Sequence, residues 1–284
     1  MRYSLIDAEQ AVIGELLPRR SAIVRKAAGA AYSEQVIAAN VDSLFIVSAL
    51  DDDFNLRRIE RYVTLAWSSG TQPVILLNKA DLGADIDAIR ADIRLTGWDI
   101  PVHELTAIRG LGVEMLEQYL QNGVTVAFVG SSGVGKSTIV NALPHDQHQA
   151  ANAIRGHDGR GKHTTTARSL FLLASGAAVI DTPGMRELQL WDADEGFCQA
   201  FSDIEGLANE CRFRDCAHEN EPGCAVRTAL AESHNLERLA SYKKLQKEQR
   251  FLNTKVDRSL YAAQKKRWKE IHRDVQEQLK FKRR

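Results

Sequence analysis

No apolar run in this 284-residue chain approaches the roughly twenty residues needed to cross a bilayer, which argues against a membrane protein. No secretory leader is visible either, because Met1 to Gln10 is polar and mixed. Cysteine is scarce, at four residues, and three of them fall between Cys211 and Cys224. Net charge is zero, with 37 Lys/Arg against 37 Asp/Glu. That balance conceals an asymmetry. From Ser241 to Arg284 there are 15 Lys/Arg against 5 Asp/Glu, leaving 22 against 32 for residues 1–240. The basic part follows a long helical pattern, with Leu245, Leu252, Val256, Leu260 and Trp268 among its apolar positions. Lys265-Lys266-Arg267-Trp268-Lys269 and Phe281-Lys282-Arg283-Arg284 suit contact with a nucleic-acid phosphate backbone. A solvated helix docked on an acidic domain is the other reading of the same charges. The length suffices for two domains with cores of their own.

What the chain does contain is a phosphate loop. Val124-Thr125-Val126-Ala127-Phe128-Val129 is apolar and β-branched, and reads as a buried parallel strand. Gly130-Ser131-Ser132-Gly133-Val134-Gly135-Lys136-Ser137 follows at once, and Ser137, Thr138 and the residues to Leu143 open a helix. This is G-x-x-x-x-G-K-[ST] in its required strand-loop-helix context. The glycines let successive backbone N–H groups and the helix N-terminus converge on phosphate oxygens. Lys136 would reach the β- and γ-phosphates, and the Ser137 hydroxyl would ligate Mg²⁺.

The loop alone does not choose between ATP and GTP. Asn78-Lys79-Ala80-Asp81, after the strand Pro73-Val74-Ile75-Leu76-Leu77, does. The Asp81 carboxylate would accept from guanine N1–H and the exocyclic amine, groups that adenine cannot offer. Asn78 would brace loop and base, and the Lys79 stem would lie against the base face. Thr106 and Ala107, in Leu105-Thr106-Ala107, fit a second base-contact loop in which a backbone N–H meets guanine O6. The order is unusual. The base-reading segment precedes the phosphate loop, the reverse of an ordinary GTPase, so the nucleotide domain reads as circularly permuted.

Two pieces complete the site. The strand Ala177-Ala178-Val179-Ile180 ends in Asp181-Thr182-Pro183-Gly184; Asp181 would hold a Mg²⁺-bound water and the Gly184 N–H would sense the γ-phosphate. Upstream, Arg160-Gly161-Lys162-His163-Thr164-Thr165-Thr166 offers three hydroxyls, of which Thr165 is favoured to close on Mg²⁺ and the γ-phosphate as a switch. The competing reading is that these threonines simply start the next strand. Met185 stands where a water-orienting glutamine is expected, and methionine cannot do that work. His163 is the candidate substitute, with a solvent-exposed histidine as the alternative. Either way, intrinsic hydrolysis should be slow and a partner should be needed to order the switch.

The second strong signal is Cys211-x4-Cys216-x-His218-x5-Cys224. Three thiols and an imidazole at this spacing match one tetrahedral, structural Zn²⁺ site, and Asn220-Glu221-Pro222-Gly223 supplies the turn that doubles the chain back. A disulfide is disfavoured in a chain that carries a GTPase and no leader. Cys198 is expected to be a buried small hydrophobe, not a fifth ligand.

The permuted motif order, the Gly161-x-His163-Thr164-Thr165 segment and the Cys-Cys-His-Cys cluster together resemble the ribosome small-subunit-dependent GTPase A family (RsgA, also called YjeQ). The resemblance runs from about Leu17 to the C-terminal helices. It implies GTP hydrolysis to GDP stimulated by the small ribosomal subunit, a role in late maturation of that subunit, contact with its rRNA and a cytoplasmic location. Members typically carry a complete five-stranded OB barrel at the N-terminus. Here only about forty residues precede Val41, and Val12–Leu17 and Ala22–Arg25 are expected to be its closing strands.

The fold class is therefore α/β: a circularly permuted P-loop GTPase domain with a parallel sheet, a partial OB-like segment and a C-terminal helical zinc domain. Expected bounds are 1–38, 39–190 and 191–284. Strand Leu44–Val47 opens the sheet, a helix from Asn55 to Ser69 covers one face, and parallel strands run through Leu76, Val102, Phe128, Leu172 and Val179. The protein should be a monomer. Two other readings stay open: a nucleotide-gated RNA-binding zinc protein with negligible turnover, and a GTPase serving some other RNA or protein target.

Overall fold

The computed structural model describes residues 2–5, 11–15, 18–26, 34–82, 85–144, 169–182, 193–233 and 235–254. By internal contacts the chain divides into two compact units. One holds the described residues of 1–24, 36–187 and 195–200, the other those of 25–35, 188–194 and 201–284.

The first unit is organised by a six-stranded sheet. Its strands are β5 (Ser43–Ala49), β6 (Gln72–Asn78), β7 (Val102–Leu105), β8 (Thr125–Val129), β9 (Ser169–Leu172) and β10 (Ala178–Asp181), in the order β7-β6-β5-β8-β10-β9. Leu44, Phe45, Ile46 and Val47 are consecutive and all buried, which requires cover on both faces. Helix α1 (Leu56–Ser68) packs on β5 and β6 and buries Ile59, Tyr62, Val63 and Ala66. On the opposite face Phe45, Val47, Val74, Leu76, Val126 and Phe128 form one core with Val134, Ile139 and Val140. Phe45 sits edge-on to Phe128 and to Tyr119, at 5.1 and 5.6 Å between centroids. Asn55 starts α1 by accepting the Arg58 N–H on its side chain, a standard N-cap. Two further helices belong to this unit, α2 (Ile86–Arg94), which buries Ile93, and α3 (Lys136–Ala142), and the short 3-10 helix Val113–Tyr119 adds Val113 and Leu116 to the core.

β5, β6, β7, β8 and β10 pair in parallel, as the apolar runs imply. β9 does not. It pairs antiparallel with β10, so Leu172 does not continue the parallel sheet. The reason is the connection: the Leu173 N–H donates to Ala177 O across a tight turn, and a turn that short can only reverse the chain.

Ahead of the sheet, β1 (Arg2–Leu5) pairs antiparallel with β2 (Ala11–Glu15), and β3 (Ala22–Lys26) neighbours β4 (Glu34–Ala39). β1 and β4 lie where no strand is expected from the sequence. Ser21 ties this segment to the sheet: its carbonyl accepts the Asn40 N–H at 2.9 Å and its Oγ donates to Val41 O at 2.7 Å.

Within the first unit, Trp98 holds helix α4 (Asp194–Ala200), its Nε1 donating to Ala200 O at 2.8 Å. The second unit contains α5 (Ser202–Ala208), α6 (Ala225–Glu232) and a helix α7 over residues 236–254. Its centre is polar as well as apolar. Arg238, fully buried, forks onto Asp203 at 2.7 and 2.6 Å and lies over the Phe201 ring at 4.9 Å. Tyr242 stacks edge-on to Phe201 and donates to Glu205 at 2.8 Å. Such a pair persists only because both partners are satisfied. Among the described residues no helix is long and apolar enough to cross a membrane. Residues Val256, Leu260, Trp268 and the basic end through Arg284 lie outside the described residues.

α4 can approach α1 closely because position 196 has no side chain. A Cβ on Gly196 would lie 2.2 Å from Ser68 Oγ and 2.4 Å from Thr64 O. Gly196→Ala should cost about 1–3 kcal/mol through overpacking and lower the thermal midpoint by several degrees; a midpoint unchanged in calorimetry would refute this contact.

Candidate functional site

The C-terminal ends of parallel strands share one edge of a sheet, and loops from that edge collect ligands. Here β5, β6, β7, β8 and β10 all deliver residues there. Asn78 is the last residue of β6 and is 3 % exposed. Its Nδ2 donates to Val134 O in the phosphate loop at 2.9 Å, and its Oδ1 accepts the Ala107 N–H at 3.1 Å. One amide thus joins all three loops read from the sequence. Lys79 follows in the left-handed region (φ 62°), and its Nζ pairs with Asp51 at 2.7 Å. Lys79 holds the Asp51 carboxyl below its usual range, opposed by burial. Asp81 lies in a one-turn helix, Ala80–Leu82, with Arg109 Nη2 at 3.8 Å. Thr106 is buried and exchanges backbone hydrogen bonds with Leu111, closing a tight loop. Of the backbone N–H groups in this second base-contact loop, that of Ala107 is thus taken up by Asn78.

The phosphate loop bends through glycines. Gly130 (φ 148°) has a Val47 carbonyl 2.3 Å from where a Cβ would sit, and Gly135 (φ 98°) has Asn78 Nδ2 at 2.2 Å. A side chain at either would push the loop off β5 or break the Asn78 bridge. Ser132 is half-buried, while Gly133 and Thr138 are exposed. Lys136 is buried, and its Nζ folds back onto Gly130 O at 3.0 Å and Ser131 O at 2.8 Å. Burial pushes its pKa below the usual lysine value, partly offset by Asp181. A polyphosphate would supply the negative charge that this ammonium is short of.

At the neighbouring strand end, Ser137 Oγ donates to Asp181 Oδ2 at 3.0 Å, and Asp181 is 4 % exposed. Thr182 Oγ1 donates to Phe128 O at 2.6 Å and pins the strand end to the sheet. A buried carboxylate beside a hydroxyl is a hard oxygen pair suited to Mg²⁺ and its waters. Pro183, Gly184, Met185, His163 and Thr165, with the rest of the 160–166 segment, lie outside the described residues.

The four zinc-type residues converge. Cys211, Cys216, His218 and Cys224 present ligand atoms within 4.8 Å of one another. His218 Nδ1 lies 3.7 Å from Cys211 Sγ and 3.5 Å from Cys224 Sγ, and the two sulfurs are 4.0 Å apart. Sulfurs about 2.3 Å from a tetrahedral zinc would be about 3.8 Å apart, so the set fits one Zn²⁺. His218 takes a left-handed conformation (φ 56°), and its carbonyl accepts from Lys243 Nζ at 2.8 Å. Glu221 accepts the N–H groups of Ala217 and Glu219 at 2.9 and 2.7 Å; backbone hydrogen bonds lower its pKa to about 2. Desolvation and the neighbouring thiols push Cys216 up to about 11. Desolvation also acts on Cys211, but the N–H groups of Val226 and Ala225 outweigh it and lower its pKa. Cys224 doubles as the N-cap of α6. Cys198 is exposed and stands outside this cluster, so the expectation of a buried Cys198 is wrong. α4 places it on the helix side away from Gly196, Phe197 and Ala200, which take the buried positions.

Comparison with known proteins identifies the family and its fold. Residues 16–191 match the model of the RsgA GTPase family, a span that includes both the base-reading and the phosphate loops in permuted order. The chain belongs to the RsgA GTPase family. It is a GTPase, and its family implies Mg²⁺ with GTP. A small ribosomal subunit biogenesis GTPase RsgA of Opitutus terrae is 49% identical over 267 residues, covering 92% of this chain and 73% of that protein. Its namesake from Methanosarcina acetivorans is 46% identical over 271 residues, covering 95% and 73%. Among solved structures, YjeQ from Thermotoga maritima aligns with TM-score 0.58 at 27% identity, over 86% of this chain and 80% of that one. YloQ, titled a circularly permuted GTPase, aligns with TM-score 0.57 at 25% identity, over 90% and 79%. A second family model, described as a 50S ribosome-binding GTPase, matches residues 125–283. That match begins at β8 and leaves out Asn78 and Asp81, which this family member carries upstream, so the RsgA match is the more informative.

The zinc reading makes its own prediction. Purified protein should carry about one zinc per chain by metal analysis, and Cys216→Ser should lower that occupancy. Chelation should lower the melting temperature of the metal-loaded protein; purified protein that carries no zinc and takes up none when zinc is added would rule the site out.

Proposed function

We propose that this GTPase binds the small ribosomal subunit and assists its maturation, hydrolysing GTP to GDP and phosphate with turnover stimulated by the subunit. The observation that carries the nucleotide half is the Asn78 amide, which draws the guanine-reading loop and the phosphate loop onto one sheet edge. The ribosomal half rests on the relatives named small ribosomal subunit biogenesis GTPases, which match 92% and 95% of the chain. In this reading Asp81 selects guanine, Asn78 and Lys79 position it, and Ala107 lies beside it. The backbone from Gly130 to Gly135 cradles phosphate, Lys136 neutralises it, and Ser137, Thr165 and Asp181 attend Mg²⁺ and its waters. When bound, that ion supplies charge neutralisation at the β- and γ-phosphates. Gly184 and the 160–166 segment form the γ-phosphate switch.

The basic C-terminal stretch and the zinc module would contact rRNA, in a cytoplasmic monomer of three parts bounded near residues 38 and 190. Basic residues there would bind by phosphate contact, so association should weaken as salt rises. A second reading follows from the match described as 50S-binding and makes the large subunit the partner.

GTP turnover with and without purified small subunits, large subunits and an ATP control separates these. Strong stimulation by small subunits alone is expected; stimulation by large subunits alone would move the partner, and turnover indifferent to both would remove the ribosome from the proposal. His163→Ala should cut stimulated turnover about 10²-fold or more while leaving GDP affinity near wild type. Full stimulated turnover in that variant would exclude His163 from catalysis.

A further inference from the structure

We infer that Arg58 and Tyr62, one turn apart on α1, are positioning residues for the phosphate loop, acting through the hydroxyl of Ser131. The inference deepens the GTPase reading and rests on it. Arg58 Nη1 donates to Ser131 Oγ at 2.8 Å. The Asp53 carboxylate aims that guanidinium, accepting from Nη1 at 2.7 Å and from Nη2 at 3.2 Å. Tyr62 is 2 % exposed and also hydrogen-bonds the Ser131 side chain. Ser131 itself is 4 % exposed.

The polarity of this chain follows from what each group can do. A guanidinium only donates, so Ser131 Oγ must accept from Arg58 and is free to pass its own proton to Tyr62 Oη. Burial pushes the Tyr62 phenol up to about 12, so it stays neutral at working pH and costs no buried charge. The hydroxyl of a loop residue is thereby fixed from two sides by one helix.

This matters because the loop's internal tie is temporary. Lys136 Nζ holds the carbonyls of Gly130 and Ser131. To bind nucleotide, it must exchange those oxygens for phosphate oxygens. The α1 brace does not involve Lys136, so it can keep the loop N–H groups pointed inward while the lysine moves. Preorganised donors cost no rearrangement when the ligand arrives. The same β5–α1 loop carries Asp51, the partner of Lys79 on the base side. One short stretch, Asp51 to Arg58, therefore braces both halves of the nucleotide site.

The test is a double-mutant cycle on Arg58→Ala and Ser131→Ala, read by titration with a fluorescent GDP analogue and by steady-state GTP turnover. Wild-type protein that bound no guanine nucleotide would defeat the GTPase reading itself, separately from the brace. Arg58→Ala should weaken GDP binding about tenfold and raise KM similarly with kcat retained. Ser131→Ala should lose a comparable amount, and the double variant should be no worse than either single one. Additive losses, or GDP affinity unchanged in Arg58→Ala, would overturn the assignment. Should Arg58→Ala fail to fold, Arg58→Lys and Tyr62→Phe take its place. Lysine retains a donor for Ser131 without the fork to Asp53, and phenylalanine retains the ring without the hydroxyl. Each should lower GDP affinity severalfold at unchanged melting temperature, and wild-type affinity in both would equally overturn the assignment.

Discussion

A single side-chain amide organises the nucleotide site. Asn78 has one donor pair and one acceptor, and it spends them on the phosphate loop at Val134 and on the second base loop at Ala107. Both contacts are buried, so water cannot replace either partner. The geometry also dictates neighbouring residue choice, because the approach of Asn78 to position 135 leaves no room for a Cβ. The glycine there answers to the base loop as much as to the phosphate. The loop proposed to read the base and the phosphate loop are therefore mechanically one unit, although their residues are far apart in the chain.

That arrangement explains why circular permutation is tolerated. What brings Asn78, Ala107 and Val134 together is strand adjacency: β6 lies between β5 and β7, and β5 pairs with β8 on its other side. Pairing is specified by the apolar faces of neighbouring strands, not by the order in which the chain visits them. Any order of visiting that preserves the neighbours preserves the loops at the C-terminal edge. The β5–α1 loop adds to this, since Asp51 and Asp53 face two different nucleotide loops through Lys79 and Arg58.

The second unit solves a different problem. Two of its described helices, α5 and α6, are short, and its core joins buried Arg238 to half-buried Asp203 next to a few aromatic and aliphatic residues. A module of that kind gains from a cross-link, and four converging ligands on one loop and one helix start provide it. Glu221 prepares the loop by collecting two backbone N–H groups, so part of the ligand geometry is set by the protein itself.

The legible parts of this protein were those whose chemistry is local. The glycine pattern of the phosphate loop, Asn78 to Asp81 and the Cys-Cys-His-Cys spacing each declare their ligand within a few residues, because turn conformation and donor spacing are properties of short segments. Long buried runs such as Leu44–Val47 likewise announced a two-sided parallel sheet. The misreadings were of another kind. β9 runs antiparallel because of a tight turn, Cys198 faces outward because Gly196, Phe197 and Ala200 take the inner face of its helix, and β4 formed where no alternating pattern had marked a strand. The Arg58–Ser131 contact joins residues 73 positions apart and has no motif at either end. Sequence by itself determined which ligands this chain is equipped to bind, since donor type and spacing are written residue by residue. Only the tertiary structure decided which distant side chains hold those ligand loops in place, since that depends on which strands and helices come to lie side by side.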